Sequence, residues 1–109
     1  MQNTHSIQNI NNTIENNLAV MLYFSAPSCN VCHALKPKLL EALDENFNDF
    51  KVVSVDISLT EDIAPYFNVY SIPTVLVFLE GKEFLRKSRH MSVGEVIDEI
   101  KRPYKIMKS

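Results

Sequence analysis

The sequence has no tryptophan, only two glycines and only two cysteines among its 109 residues. Two cysteines exclude a disulfide-rich scaffold, in which several bridges stand in for a small hydrophobic core. Apolar residues make up 46% of the chain and charged residues 22%, as in an ordinary globular protein that buries a core of its own. We therefore expect one domain over residues 1–109.

Long apolar runs and targeting patterns are also missing. No apolar run approaches the roughly 20 residues of a membrane-spanning helix, so we expect no membrane partner. The first residues, MQNTHSIQNINNTIENN, lack the basic and then apolar segments of a signal peptide. We therefore expect a cytoplasmic protein, and in that compartment a reactive or metal-binding cysteine pair is more common than a structural disulfide.

The net charge is only −2, which gives no reason to expect a nucleic-acid partner. Residues 1–81 carry three basic against nine acidic side chains, whereas residues 82–109 carry eight against four. Four of the basic residues lie near the C-terminus: Lys101, Arg102, Lys105 and Lys108. We interpret them as the solvated end of a last helix, where the helix dipole favours positive charge, rather than as a polyanion site.

Hydrophobic periodicity and turn residues predict the order helix, strand, helix, strand, helix, strand, strand, helix. The apolar run Leu18–Ala26 is typical of a central strand buried on both faces. Further strands are predicted at 51–57 and 74–79, and Glu80-Gly81 indicates a tight turn into an edge strand at 82–88. This order predicts an α/β fold, a mixed four-stranded sheet with helices on both faces.

Capping residues predict where the helices begin. Thr4 or Ser6 is expected to cap the first helix, Ser58 or Thr60 the third, and a capping box opens the last at Ser92. The second helix is expected to begin near the first cysteine and to contain a proline. Its predicted buried stripe comprises Val31, Leu35, Leu39, Ala42, Leu43 and Phe47.

Both cysteines lie in the stretch SAPSCNVCHALKP, residues 25–37, which is compatible with three chemistries. Cys29 and Cys32 form a C-x-x-C redox motif. With His33 they also match a haem-attachment motif, or most of a zinc site. Haem is disfavoured because the motif follows a buried strand and no export signal accompanies it. Zinc is disfavoured because the missing ligands would have to come from three histidines scattered along the chain.

Disulfide exchange agrees best with the position of the motif. Cys29 is predicted where a buried strand ends and a helix begins, so free N–H groups and the helix dipole favour its thiolate. The spacing places Cys32 one turn further on the same face. Cys29 is then the expected nucleophile and Cys32 the resolving cysteine, with no bound cofactor and no metal.

The chain resembles the thioredoxin-like family from about residue 18 to residue 100. The resemblance rests on YFSAPSC before the cysteine pair, on Pro37 in the helix that follows, on VVSVDI and IAPYFNV, and on SIPT at residues 71–74. It implies a thioredoxin-like fold in which the family's first strand is missing. It also implies a cis-proline at Pro73 that faces the cysteines, with Ile72, Thr74 and Ser28 beside it in a substrate groove.

The same resemblance implies an enzyme, a thiol–disulfide oxidoreductase acting as a protein-disulfide reductase. Its partners would be protein disulfides and a thioredoxin-reductase-type electron donor, and we expect a monomer. The second hypothesis is a non-catalytic or redox-regulated binding module that uses the same groove, because fold alone does not establish function. The presence of both cysteines favours the enzyme.

The chain departs from the family's pattern around the cysteines. Ser28 replaces the usual tryptophan, and Asn30-Val31 replaces Gly-Pro between the cysteines. Tyr23 stands where the family has a buried acid thought to help deprotonate the second cysteine, and the lysine partner of that acid aligns with Val52.

A glycine of the family near the active site aligns with Arg89 or His90. Either residue could stabilise a thiolate or attract an acidic partner, and the alternative is that both are solvent-facing loop residues. Together with Tyr23 and His33, these two are the candidates for tuning the pKa values of the cysteines.

Overall fold

The computed structural model describes residues 5–109, which form four helices and a four-stranded sheet. The helices are α1 (Ile7–Asn16), α2 (Asn30–Asn46), α3 (Ile63–Tyr66) and α4 (Val93–Lys108). The strands are β1 (Ala19–Ser25), β2 (Phe50–Asp56), β3 (Thr74–Leu79) and β4 (Lys82–Ser88). The predicted order is confirmed, and the alternative cap Thr4 lies outside the described residues.

The sheet has the strand order β2-β1-β3-β4. Strands β1 and β2 are parallel, and β3 is antiparallel to both of its neighbours, so the sheet is mixed as expected. In the described part of the chain, α1 leads directly into β1 and no strand precedes it. Residues 5–109 therefore contain four strands, as expected, and the first of them follows a helix.

Strand β1 is buried along its whole length to Phe24 because helices cover both faces of the sheet. Successive side chains of a strand point to opposite faces. Tyr23 and the alternate residues before it face the core formed with α2 and α4. Phe24 and the alternate residues before it face the core formed with α1 and α3.

The turns and most caps agree with the sequence. The Ser6 and Ser92 hydroxyls each accept a hydrogen bond from the backbone N–H three residues on. Glu80 and Gly81 have φ of 52° and 80°, the left-handed values that a tight two-residue hairpin needs. The predicted start of the third helix is wrong, because α3 begins only at Ile63.

The Ser58 hydroxyl, a predicted cap of that third helix, instead donates to Asp56 Oδ1 at 2.6 Å. The predicted stripe of α2 needs one correction as well. Val31 is 61% exposed, whereas Cys32, Leu39 and Leu43 are buried. The capping geometry at the start of α2 turns the Cys32 side chain towards the core. Val31, the residue before it on the helix, therefore faces solvent.

The end of α4 is held by contacts with the loop between α2 and β2. Tyr104 Oη donates to Asp49, and Lys108 Nζ donates to the other oxygen of that carboxylate at 2.6 Å. The Tyr104 ring also contacts Phe47, with ring centroids 4.6 Å apart. Lys108 is therefore ion-paired, although the basic cluster was expected to be simply solvated.

These contacts predict an acid-sensitive contribution of Asp49 to stability. The hydrogen bond from Lys108, and then that from Tyr104, lowers the pKa of Asp49 from its ordinary 3.8. Because the pKa of Asp49 is lower in the folded protein than in the unfolded chain, its carboxylate stabilises the fold at pH values above the unfolded-state pKa. This stabilisation is lost as pH falls through the lower, folded-state pKa. At neutral pH, Asp49→Asn should lower the free energy of unfolding by at most about 1 kcal/mol, since the site is exposed to solvent.

Urea unfolding of wild type and Asp49→Asn between pH 7 and pH 2 measures this contribution. The two proteins should converge in stability as pH falls below 3.8. Asp98→Asn is a suitable control, because Asp98 is exposed and reaches Lys101 only at 4.0 Å. A difference between wild type and Asp49→Asn that stayed constant with pH would contradict the assignment.

Candidate active site

The cysteine pair lies just beyond the end of β1, at the start of α2. The two sulfurs form a disulfide, with Cα atoms 5.3 Å apart. Cys29 is the N-cap of α2, and its sulfur accepts a hydrogen bond from the Cys32 N–H at 3.2 Å. No acidic residue lies in the first turn of this helix. Free N–H groups and the helix dipole therefore favour negative charge on the Cys29 sulfur.

The two cysteines differ in exposure. Cys32 is 1% exposed and belongs to the core between the sheet, α2 and α4. Cys29 is only partly buried and lines a surface cleft. An incoming group can therefore reach Cys29 but not Cys32.

This cleft, called the proline cleft below, has a volume of about 350 Å³. The peptide bond between Ile72 and Pro73 is cis, as the resemblance implied. The cleft is open to solvent beside the cysteine pair. Its lining residues are Cys29, Asn30, Val31, Ile72, Pro73, Arg89 and His90.

Two residues expected in this groove do not line it. Thr74 is 1% exposed, and its hydroxyl donates to the Ser71 carbonyl at 2.7 Å. It therefore holds the bend before β3. Ser28 is exposed in the turn that the Cys29 N–H closes on the Ala26 carbonyl at 3.0 Å.

Tyr23 lies beneath the first turn of α2. It is 1% exposed, and its hydroxyl donates to the Cys32 carbonyl at 2.6 Å. Burial raises the pKa of Tyr23 from 10.0 to about 12, so at neutral pH it is a hydrogen-bond donor and not a base. Val52, aligned above with the family's lysine, is paired with Met21, and the neighbour of Tyr23 on β2 is Ser54.

A second surface cleft, of about 210 Å³, lies on the other side of Cys32, which also lines it. His33 borders it, and its Nε2 lies 2.8 Å from the Pro27 carbonyl oxygen, to which that nitrogen donates when protonated. Sequence reasoning missed three other residues that line it: Lys36, Ser54 and Asp56. Asp56 could have been predicted from the parallel pairing of β1 and β2. That pairing brings the C-terminal end of β2 to the same edge of the sheet as the end of β1, where the cysteines follow.

Arg89 and His90 both lie at the proline cleft, as their alignment beside the active site suggested. Arg89 has a φ of 66°, in the left-handed region that favours glycine. Its N–H donates to the Pro73 carbonyl at 2.7 Å. The position therefore keeps a glycine-like backbone but adds a long basic side chain.

The described residues offer no candidate metal centre and no candidate membrane span. Within residues 5–109, no group of three or more His, Cys, Asp or Glu side chains is arranged to hold a metal ion. Nor does any helix in that range combine the length and apolar character needed to cross a bilayer.

A C-x-x-C pair at a helix N-terminus, facing a cis-proline on a mixed sheet, defines the class of thiol–disulfide redox proteins. The family model described as Thioredoxin matches residues 2–102, and the chain belongs to that family. Membership and the cysteine pair together make the protein a thiol–disulfide oxidoreductase.

Similar proteins cover most of the chain. The thioredoxin-like protein YdfQ of Bacillus subtilis (strain 168) is 33% identical over 97% of this chain and 94% of its own length. Thioredoxin of Mycoplasma genitalium is 35% identical over 72% of this chain and 76% of its own. Among solved structures, thioredoxin 1 of Thermosipho africanus is 27% identical, with a TM-score of 0.70 over 83% of this chain and 99% of its own.

The burial of the Tyr23 hydroxyl, which raises its pKa, predicts an alkaline effect on stability. The pKa of Tyr23 is about 12 in the folded protein, against an ordinary value of 10.0. The difference stabilises the folded protein, and this contribution is complete below pH 10. This contribution is lost as pH rises from 10 towards 12. At pH 8, Tyr23→Phe should lower the free energy of unfolding by about 1 kcal/mol, the net value of one hydrogen bond.

Urea unfolding at pH 8, 10 and 11.5 measures the effect. The deficit of Tyr23→Phe relative to wild type should shrink above pH 10. Tyr70→Phe is the matched control, because Tyr70 is 79% exposed and should behave as wild type throughout. A deficit that did not change with pH would argue against the Tyr23 hydroxyl as its source.

Proposed function

We propose that the protein is a protein-disulfide reductase in which Cys29 is the nucleophile and Cys32 the resolving cysteine. One observation carries this assignment. The Cys29 sulfur caps α2 and lines the proline cleft, whereas Cys32 is 1% exposed one turn further along the helix. A buried second thiol is protected from solution and reaches only the sulfur beside it.

The proposed reaction transfers two electrons from the protein to its substrate. The Cys29 thiolate attacks one sulfur of the substrate disulfide, and the other substrate sulfur leaves as a thiolate. Cys32 then loses its proton and attacks the Cys29 sulfur, which breaks the mixed disulfide. The second substrate sulfur leaves as a thiolate, and the protein ends with the Cys29–Cys32 disulfide.

The proline cleft supports a protein substrate. Pro73 lies just before β3 and has no N–H to complete a strand ladder, so an extended substrate segment can pair with the backbone beside it. Val31 and Ile72 add apolar surface beside Cys29. An extended substrate segment would therefore place its disulfide against the exposed cysteine.

The family supports the choice of partners. Proteins of the thioredoxin family generally act on protein disulfides and are returned to the dithiol by a reductase. A solved structure with a similar fold (TM-score 0.80, 20% identity) concerns the thiol resolving mechanism of a yeast mitochondrial peroxiredoxin via glutathione and thioredoxin systems. For this chain we propose protein disulfides as substrates and a thioredoxin-reductase-type donor, with the cytoplasm as the compartment.

Reduction of a protein disulfide by dithiothreitol, followed with and without the protein, tests the cysteine roles. Cys29→Ser should fall to the rate of dithiothreitol alone, because no nucleophile remains. Cys32→Ser, reduced and freed of dithiothreitol before it meets the substrate, should retain the first attack and accumulate a mixed disulfide that mass spectrometry detects. Equal inactivity of wild type and Cys29→Ser would refute the enzyme and leave the binding module.

The equilibrium potential of the Cys29–Cys32 pair tests the direction of the reaction. A reductase should have a potential close to that of general thiol reductants, about −270 mV. Equilibration with glutathione mixtures and quantification of both forms gives the value. A potential as oxidising as about −120 mV would contradict the reductase and favour a role in forming disulfides.

A further inference from the structure

The proline cleft has an apolar floor and a basic rim. Val31, Ile72 and Pro73 provide the apolar surface beside Cys29. The ionisable side chains that line it, apart from that cysteine, are Arg89 and His90, and no acidic side chain lines it. The rim is therefore positive, although the overall charge of the chain is −2.

The backbone of this rim is held in place from both sides. The Arg89 N–H donates to the Pro73 carbonyl at 2.7 Å, which joins the rim directly to the cis-proline. The His90 N–H donates to the Ser88 carbonyl at 2.8 Å. These bonds fix the backbone from which the Arg89 side chain extends at the cleft.

Arg89 differs from the neighbouring basic residues of β4 because no carboxylate of residues 5–109 pairs with it. Arg86 Nε binds Glu83 at 2.8 Å, and Lys87 Nζ binds Glu99 at 2.7 Å. Among the described ion pairs, formed within 4.0 Å, none includes Arg89. Its charge is therefore available to an external group.

We propose that the proline cleft selects substrate disulfides that have an acidic side chain beside a cysteine, and that Arg89 is the main determinant of this preference. The inference rests on the proposed function and names the substrate class of the same site. The exchange itself is the two-electron reaction written above. Arg89 contributes by attracting and orienting a carboxylate of the substrate next to the Cys29 sulfur.

The size of the preference follows from the exposure of Arg89. Ion pairs at a solvent-exposed rim are weak, and they change association rates more than they change the lifetime of a complex. We expect a preference of about twofold to fivefold in the second-order rate constant at low salt. It should diminish in 1 M salt, where charges are screened within about 3 Å.

The test uses one short disulfide-bridged peptide made in three forms, with glutamate, glutamine or lysine beside its cysteines. Reduced protein is mixed with each peptide, and the second-order rate constant of dithiol loss is measured. Each rate constant is divided by that of dithiothreitol with the same peptide, which removes differences in the reactivity of the peptides themselves.

Variants of Arg89 separate its charge from its shape. Arg89→Asn removes the charge and tolerates the left-handed backbone, Arg89→Lys keeps the charge, and Arg89→Glu reverses it. Lys51→Gln is the matched control for one lost positive charge. Lys51 lies at the start of β2, at the opposite end of the sheet from the cysteines.

Wild type, Arg89→Lys and Lys51→Gln should favour the glutamate peptide over the lysine peptide. The ratio should approach one in Arg89→Asn and invert in Arg89→Glu, and circular dichroism shows whether each variant is folded. Equal rates on all three peptides, or a preference that persists in Arg89→Asn, would overturn the proposal but leave the reductase standing. No reaction of wild type with any peptide would refute both.

Discussion

The rest of the structure depends on β1, a strand buried on both faces that ends at the cysteine pair. It lies between β2 and β3, and its alternate side chains belong to the two separate cores. Because it is held on all sides, the chain leaving it at Ser25 enters α2 at a defined position. The cysteines are thus placed at a helix N-terminus by a rigid element rather than by a flexible loop.

Two hydrogen bonds then complete the site from distant parts of the chain. The Tyr23 hydroxyl joins β1 to the first turn of α2 through the Cys32 carbonyl. The Arg89 N–H joins the segment after β4 to the Pro73 carbonyl. The first bond supports the buried cysteine, and the second places a basic side chain at the cleft where the exposed cysteine lies.

The departures from the family's pattern acquire a physical meaning in this setting. Tyr23 replaces an ionisable acid by a group that stays neutral to about pH 12, so it contributes a hydrogen bond in place of a charge. Arg89 adopts the left-handed backbone conformation that favours glycine but carries a positive charge. The chain shares thiol–disulfide exchange with the family, but the residues around its cysteines differ from the family's usual ones.

Much of the architecture follows from local sequence. The continuous apolar run at β1, the turn at Glu80-Gly81 and the caps at Ser6 and Ser92 each depend on neighbouring residues, so each was predictable. The position of the C-x-x-C motif between a strand and a helix was predictable for the same reason. That position in turn favoured disulfide exchange over haem or zinc binding. Family resemblance supplied the cis-proline, which composition and spacing do not reveal.

Only the tertiary structure decided which side chains meet at the site. The rotation of α2 about its axis exposes Val31 and buries Cys32, and periodicity did not resolve this at the helix start. In the register of β1 and β2, Tyr23 pairs with Ser54, whereas Val52, which aligns with the family's lysine, pairs with Met21. A sequence alone does not show how two strands are shifted relative to each other. The sequence by itself determined the elements and the reacting groups, because these depend on local residue types; contacts between distant residues determined the lining and charge of the cleft.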